Sequence, residues 1–203
     1  MHTDIGGMVY SPILSVRDVE ILKRWFELAS FLDPILRSHP SNGQDHVPQP
    51  WSSSMIETTT KFSRIHVALK SYKRKLLNLL AETGLPPVRH TLMCCDVETV
   101  SNDDFESLTD QLMLGNDLMI APVVKSGAKT VSSVLIPPPC SASCGSGNDD
   151  RNETWYNIWK GPNVLHESGA ALKNVDAALG FPAVFVRSGS DVAKALSNTI
   201  SNI

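Results

Sequence analysis

Residues 110–123 read Asp-Gln-Leu-Met-Leu-Gly-Asn-Asp-Leu-Met-Ile-Ala-Pro-Val, and this stretch sets the pattern for the second half of the chain. An apolar run at residues 118–124 follows a Gly-Asn-Asp sequence that favours a turn. Similar β-prone runs, separated by Pro, Gly, Asn and Asp, occur at residues 88–93, 131–136, 155–159 and 183–186. This pattern predicts an antiparallel β-domain. A final helix at about residues 191–199 is expected to pack on the sheet through Val192, Ala195 and Leu196.

The beginning of the chain follows a helical spacing instead. Residues 15–32 place Val19, Leu22, Phe26 and Ala29 at the 3.6-residue period of an amphipathic helix. Ser15 and Asp18 resemble a capping box, and a proline at position 34 ends the helix. Residues 34–39 form a short apolar run that ends in polar side chains. This run is typical of a buried strand whose last residues lie at the surface, at the end of the strand.

A longer helix is predicted after a polar loop at residues 40–53. Ser54 and Glu57 resemble a second capping box, and Gly84 ends the helix. Its apolar face is formed by Ile65, Leu69, Tyr72, Leu76 and Leu79. The basic run at residues 70–75 is expected on the solvated outer face of this helix. A helix, a strand and another helix in this order suit the end of an α/β unit.

Composition excludes several classes of function. The chain has 203 residues, a formal net charge of −3 and a pI of about 6.0, so it lacks the basic surface that nucleic acid requires. No apolar run approaches the ~18 residues that cross a bilayer, so no membrane segment is predicted. The sequence indicates no compartment.

Seven strings along the chain are more specific than these patterns. They are HTDIGG (2–7), EILKRWFELASF (20–31), RSH (37–39), GLPPVR (84–89), DQLMLGNDLMIAPV (110–123), WYNIWKG (155–161) and PAVFVRSG (182–189). In this order they resemble segments of glycoside hydrolase family 31, the family of α-glucosidases and sulfoquinovosidases. Because all seven occur in the family's order, coincidence is not a reasonable explanation.

The resemblance implies a two-part fold of the α/β plus β class. Residues 1–86 would be the C-terminal strands and helices of a (β/α)₈ TIM barrel. Residues 87–203 would form a C-terminal antiparallel β-sandwich domain, with a loop insertion at about residues 137–152.

The resemblance also implies the C-terminal portion of a retaining α-glycosidase that hydrolyses O-glycosyl bonds, with an α-glycoside as its partner. Such enzymes use two carboxyl groups and need no cofactor. The family carries these carboxylates in segments of the W-x-D-x-N/G-E and G-D-N types, and neither segment occurs here. No catalytic residue is therefore assigned, and this chain alone is expected to be inactive. The alternatives are a non-catalytic pseudoenzyme and a carbohydrate-binding or interaction module.

Three residues match positions that line the sugar-binding subsite in the family: Asp4, Arg37 and His39. A carboxylate accepts hydrogen bonds from sugar hydroxyls, a guanidinium donates paired hydrogen bonds, and an imidazole can donate one. Without the resemblance, Asp4 would be a turn residue, Arg37 a structural ion-pair partner and His39 a solvated loop residue.

The string around Asp4 also resembles the sulfoquinovosidase branch, through His2 and the helical end of the chain. That branch places a tyrosine after the second glycine, to help bind the sulfonate, and this chain has Met8 there. A thioether accepts hydrogen bonds only weakly. A general α-glycosidase is therefore the expectation.

Overall fold

The computed structural model describes residues 3–7, 18–39, 48–93, 110–139 and 153–203. Within these ranges the helices are α1 (Val19–Leu32), α2 (Ile56–Ala68), α3 (Lys70–Thr83) and α4 (Asp191–Ile200). The strands are β1 (Val88–His90), β2 (Leu112–Leu114), β3 (Leu118–Ala121), β4 (Thr130–Leu135), β5 (Thr154–Asn157), β6 (His166–Glu167), β7 (Ala171–Asp176) and β8 (Ala183–Arg187). None of the helices in the described ranges has the length and apolar character that a membrane span requires.

Most strands belong to one antiparallel sheet. In the part of the chain that the structure describes, six strands are ordered β1-β2-β3-β8-β5-β6, and β4 pairs with β7 in a separate two-stranded sheet. Every pairing between these strands is antiparallel. The prediction of an antiparallel β-region in the second half of the chain is therefore confirmed.

The large sheet separates two cores. In β3, Leu118 and Ile120 belong to a cluster on the helical side, whereas Met119 and Ala121 belong to a cluster on the side of the two-stranded sheet. Successive side chains of a strand point to opposite faces, so a strand buried on both sides must be apolar throughout. This burial explains the uninterrupted apolar run of β3.

The helices contribute to the first of these clusters and to a third one. Residues from all four helices, and Leu69 between α2 and α3, belong to the cluster on the helical side of the sheet: Phe31, Leu32, Phe62, Ile65, Leu69, Leu76, Val192, Ala193 and Leu196. A smaller cluster beneath α1 contains Ile5, Leu22, Phe26, Ala29 and Met55. The predicted apolar face of α1 is confirmed. The final helix begins at Ser190, whose hydroxyl accepts from the Ala193 N–H at 3.1 Å.

Two predicted helix starts have different outcomes. Asp18 caps α1 by accepting from the Ile21 N–H at 2.7 Å, while Ser15 lies outside the described residues. The capping box at Ser54 and Glu57 was wrong, because α2 begins after Met55 and has no side-chain cap. Met55 is fully buried and its N–H donates to the Ser52 carbonyl at 2.8 Å, so a turn and an apolar anchor start this helix.

The single long helix was also wrong in part. It is divided at Leu69, which joins α2 to α3 with φ −82° and ψ −5°. The Leu69 N–H still donates to Ile65, and the Lys73 N–H to Leu69, so the division affects one residue. Gly84 ends α3 in the left-handed conformation, as predicted, with φ 77°.

Two further expectations were wrong. Ile35 in the predicted buried strand is 54% exposed, because the only bridge in residues 34–39 joins Ser38 to Ile5. Lys73 in the basic run is only 5% exposed and faces α1. Its Nζ donates to the carbonyls of Ser30 and Asp33 at 2.9 and 2.6 Å, so these carbonyls attract the side chain inward.

Candidate functional site

The three predicted sugar-binding residues lie on two chain segments that run parallel. Ile5 and Ser38 form a parallel bridge, in which the Ile5 N–H donates to the Arg37 carbonyl at 2.9 Å. The His39 N–H donates to the Ile5 carbonyl at 3.0 Å. These hydrogen bonds place the backbones of Asp4, Arg37 and His39 next to one another, where the two parallel segments pair.

The side chains of Asp4 and Arg37 also approach each other. Arg37 Nε lies 3.9 Å from Asp4 Oδ1, and the two side chains are 56% and 46% exposed. An ion pair this exposed contributes little to stability. The pair instead brings a hydrogen-bond donor and a carboxylate close together, with the Asp4 Oδ1 atom itself buried. His39 is half-buried and is brought alongside them through its backbone.

The segment that contains Asp4 is a tight turn. The Gly7 N–H donates to the Asp4 carbonyl at 2.8 Å, and Asp4, Gly6 and Gly7 have φ values of 49°, 88° and 63°. The left-handed conformation costs a residue with a Cβ about 1–2 kcal/mol. Asp tolerates this conformation better than most residues, and such strain is concentrated at functional sites. The glycines of the TDIGG string are therefore explained by the backbone of the turn.

The second half of the chain matches a known protein family. Residues 84–191 match the model of the glycosyl hydrolase family 31 C-terminal domain. This chain belongs to glycoside hydrolase family 31. The matched region is more than half of the chain, and the turn with Asp4 precedes it.

Curated family 31 relatives are similar over nearly the whole chain. It is 31% identical over 191 residues to a sulfoquinovosidase of Agrobacterium fabrum, covering 93% of this chain and 25% of that protein. It is 28% identical over 176 residues to an α-glucosidase of Aspergillus niger, covering 85% and 16%. The chain thus spans a quarter or less of the length of these two relatives.

Solved structures show the same fold. A family 31 sulfoquinovosidase from E. rectale, in complex with an aza-sugar inhibitor, superposes with a TM-score of 0.73 at 23% identity. That match covers 99% of this chain and 26% of the other. A family 31 α-xylosidase from a soil metagenome, complexed with xylose, has a TM-score of 0.68 at 21% identity and covers 96% and 28%.

The family 31 string on α1 has a structural role that its sequence does not reveal. Glu20 accepts from the Ser126 hydroxyl and the Gly127 N–H at 2.9 and 2.8 Å. Arg24 donates to the Ala128 carbonyl at 2.9 Å, and Glu27 accepts from the Gly180 N–H at 2.6 Å. These three polar residues therefore connect α1 to two loops of the β-region.

The family 31 strings of the β-region also have structural roles. Arg187 donates through Nε to Asp117 at 2.8 Å and lies 3.6 Å from Glu153. Trp155 is 1% exposed and belongs to the cluster on the side of the two-stranded sheet. Trp51 is 68% exposed and does not pack in the interior. It lies before α2, where no described element covers it.

Lys73 and His66 lie together near the end of α1, outside the candidate site. Burial lowers the pKa of Lys73 to about 7, although the Asp33 carboxylate opposes this shift. Burial also lowers the pKa of His66, and the Lys73 ammonium adds to this effect. Lys73 Nζ lies 3.0 Å from His66 Nδ1. In the described ranges, no group of three or more His, Cys, Asp or Glu side chains is arranged to hold a metal ion.

Sequence reasoning did not identify the residues that support the Asp4 turn. Trp25 is only partly buried, and its indole N–H donates to Thr3 Oγ1 at 2.9 Å. Asp33 accepts from Thr3 as well. The only signal in the sequence is that Trp25 lies within the α1 string, three residues from the buried Leu22. Met8 lies outside the described residues.

Proposed function

We propose that this chain is the C-terminal portion of a retaining α-glycosidase and supplies sugar-binding residues to its active site. The observation that carries the proposal is the parallel bridge between Ile5 and Ser38, which brings Asp4, Arg37 and His39 next to one another. The similarity to a sulfoquinovosidase and an α-glucosidase supports an α-glycoside as the substrate class.

The Asp4–Arg37 pair suits a sugar hydroxyl. At 3.9 Å the two atoms are farther apart than a direct N–H···O hydrogen bond allows. In this proposal, a sugar hydroxyl that reaches both groups accepts from the guanidinium and donates to the carboxylate. His39 at the neighbouring position can donate a further hydrogen bond.

The (β/α)₈ assignment is part of the same proposal. Two parallel segments joined by a connection that contains helix α1 correspond to one β-α-β unit, which is the repeat of that barrel. Barrel active sites form at the C-terminal ends of the strands, where Asp4, Arg37 and His39 would lie. We assign residues 1–86 to the barrel and residues 87–203 to the β-sandwich domain, with the loop insertion at about 137–152.

The catalytic carboxylates would come from other residues of the protein. A retaining mechanism requires a nucleophile and an acid/base about 5–5.5 Å apart. Neither of the family's two carboxylate segments occurs in these 203 residues. Assay of the chain with 4-nitrophenyl α-glucoside is expected to show no turnover above the blank. Turnover that is lost in an Asp4→Asn variant would place a catalytic group in this chain and overturn that part of the proposal.

Sugar binding tests the rest of the proposal. Titration of the ¹⁵N-labelled chain with methyl α-D-glucopyranoside is expected to shift the amide signals of Ile5, Gly6 and Gly7. Asp4→Asn and Arg37→Ala are expected to weaken binding about tenfold each, because a hydrogen bond to a charged group contributes about 1.5–3 kcal/mol. Asp176→Asn is the control, since Asp176 lies in β7, is 74% exposed and pairs with Lys160.

The possible results separate the proposal from its alternatives. Saturable shifts in the wild type that are lost in the Asp4 and Arg37 variants support sugar binding. Saturable shifts confined to the β-region favour a carbohydrate-binding module. The absence of any shift at high sugar concentration contradicts the proposal.

A further inference from the structure

Two side chains of the α1 region converge on Thr3, the residue before Asp4. Asp33 Oδ2 accepts from the Thr3 N–H at 2.8 Å and from the Thr3 hydroxyl at 2.7 Å. The Trp25 indole N–H donates to the same hydroxyl at 2.9 Å. The hydroxyl therefore donates to one partner and accepts from the other, which fixes its orientation.

Both partners of Thr3 are held firmly. Asp33 is the residue after α1, is only 6% exposed, and donates its own N–H to Ala29 at 2.8 Å. Its carbonyl accepts from Lys73 Nζ at 2.6 Å, so α3 also fixes its position. Trp25 lies in the middle of α1 and packs against the buried cluster that contains Leu22, Phe26 and Ala29. The contacts to Thr3 thus connect the turn to two helices.

Trp25 also lies beside the other end of the turn. A Cβ on Gly7 would be 3.5 Å from two ring atoms of Trp25, so the indole ring lies against the backbone there. The residues between these two contacts are Asp4, Ile5 and Gly6, and Asp4 has a φ of 49°. A strained backbone persists only where its surroundings specify it. Trp25 and Asp33 supply such surroundings.

We propose that Trp25 and Asp33 are positioning residues, which hold the Thr3–Gly7 turn so that the Asp4 carboxylate is presented to the sugar. This inference rests on the proposed function for the role of Asp4. Neither residue contacts the sugar. Their effect is on how often the turn adopts the conformation that binds it, since a site that is only partly populated has a proportionally weaker affinity.

Thr3 offers a matched pair of variants for the test. Thr3→Val removes the hydroxyl and keeps the shape, whereas Thr3→Ser keeps the hydroxyl. Because Thr3 is exposed, neither change is expected to alter the global melting temperature. The readout is amide hydrogen exchange in the 203-residue chain at Gly7, whose N–H donates to Asp4 within the turn. Met119 in the centre of the sheet is the internal reference.

Thr3→Val and Trp25→Phe are expected to accelerate exchange at Gly7 by about tenfold or more, while exchange at Met119 stays unchanged. Thr3→Ser is expected to remain within about twofold of the wild type. Asp33→Asn, which keeps one acceptor oxygen, is expected to be intermediate. A Thr3→Val variant with unchanged exchange at Gly7 would overturn the inference.

The failure of this inference can be distinguished from the failure of the proposed function. The exchange measurement needs no ligand, so it decides whether Trp25 and Asp33 hold the turn even if the wild type binds no sugar. If the wild type binds methyl α-D-glucopyranoside, Thr3→Val is expected to raise the Kd about tenfold and Thr3→Ser to leave it nearly unchanged. Equal Kd values for both variants, at equal melting temperatures, would also overturn the inference.

Discussion

Gly115 in the turn between β2 and β3 shows how one residue can be fixed by its surroundings. Its φ is 56°, and a Cβ there would lie 2.2 Å from Tyr72 Oη and 2.8 Å from Leu76. Tyr72 Oη donates to the Leu114 carbonyl at 3.1 Å and accepts from the Asp117 N–H at 3.2 Å. A side chain at position 115 would therefore displace the hydroxyl that connects α3 to the turn.

We expect Gly115→Ala to destabilise the chain by roughly 2–5 kcal/mol, as the sum of left-handed strain and overpacking. Gly127→Ala is the matched control, because Gly127 has a φ of 72° and no heavy atom within 4 Å of the added Cβ. It should cost only the strain of about 1–2 kcal/mol. Denaturant unfolding measures both changes. Equal losses would show that the approach of Tyr72 is unimportant.

Lys73 makes the free energy of unfolding depend on pH. Burial lowers its pKa to about 7, whereas an unfolded lysine titrates near 10.4. Between these values the unfolded chain binds more protons, so the free energy of unfolding rises with pH across this range. The contribution of neutral Lys73 to the free energy of unfolding is therefore complete above the pKa of lysine in the unfolded chain, and it is lost as the pH falls towards 7.

In Lys73→Met the free energy of unfolding is expected to lose this dependence between pH 7 and pH 10. Denaturant unfolding of both proteins at several pH values measures the difference in slope, and other titrating groups cancel. Lys75→Met is the control, because Lys75 is 71% exposed and pairs with Asp191 at 3.5 Å. Parallel slopes for Lys73→Met and the wild type would contradict the burial of this ammonium.

At the scale of elements, the apolar face of α1 could be predicted from the sequence, whereas the polar contacts that attach α1 to the β-region could not. Its apolar face follows from the 3.6-residue spacing, and Leu22, Phe26 and Ala29 are buried as that spacing requires. The contacts of the polar residues Glu20, Arg24 and Glu27 were not predicted. These residues contact loops more than 100 residues away in the chain, and no local pattern reports such distant partners.

The strands divide in the same way. β3 and β8 were predictable because both their faces are buried and their sequences are apolar throughout. β2 and β6 have only three and two residues, too few to show a period. β7 was missed because it is largely exposed and contains Asn174 with a φ of 51°, so its sequence shows neither an apolar run nor a strict alternation.

The Arg24–Glu27 pair gives a test of how α1 is attached. Arg24 Nη1 lies 2.9 Å from Glu27 Oε2, and the side chains are 10% and 2% exposed. Burial raises the pKa of Glu27 even though the Gly180 N–H and Arg24 oppose this shift. The desolvation of the Glu27 carboxylate therefore affects its pKa more than the attraction of Arg24 and the hydrogen bond from Gly180 do. Removing one partner leaves a buried charge, which typically costs 3–5 kcal/mol, whereas removing both avoids that cost.

We expect Arg24→Met and Glu27→Met each to destabilise the chain by about 3 kcal/mol, and the double variant to lose less than their sum by at least about 1 kcal/mol. Denaturant unfolding of the four proteins closes the cycle. The Lys160–Asp176 pair, 53% and 74% exposed, is the reference, with an expected coupling below about 1 kcal/mol. Additive losses for Arg24 and Glu27 would rule out the coupling.

At the scale of the whole molecule, the residues of the candidate site remain a prediction from the family resemblance, and the residues that support its turn were not predicted. Asp4, Arg37 and His39 were identified through the family resemblance, and the bridge between Ile5 and Ser38 places them together. The contacts of Thr3 with Trp25 and Asp33 join residues 22 and 30 positions apart. Only the folded path of the chain around α1 creates them, so a reading of neighbouring residues does not find them.

The helical residues before Gly84 and the sheet share one core, and this sharing predicts how a truncated chain behaves. Phe31, Phe62 and Ile65 are fully buried in a cluster whose other members include Leu118 and Val184 of the sheet. Residues 1–84 without the sheet would expose these side chains to water. Burial of each such side chain contributes about 1.5–3 kcal/mol, so losing several exceeds the stability of a small domain.

We therefore expect residues 1–84 alone to bind a hydrophobic dye and to show no cooperative thermal transition, while the 203-residue chain serves as the reference. Helix content is expected to remain in part, because the spacing of α1 and α2 persists, whereas the near-ultraviolet signal of Trp25 is expected to collapse. Phe62→Ser in the truncated chain is the control, since it should reduce dye binding. A sharp melt of residues 1–84 would show that the helices have a core of their own, independent of the sheet.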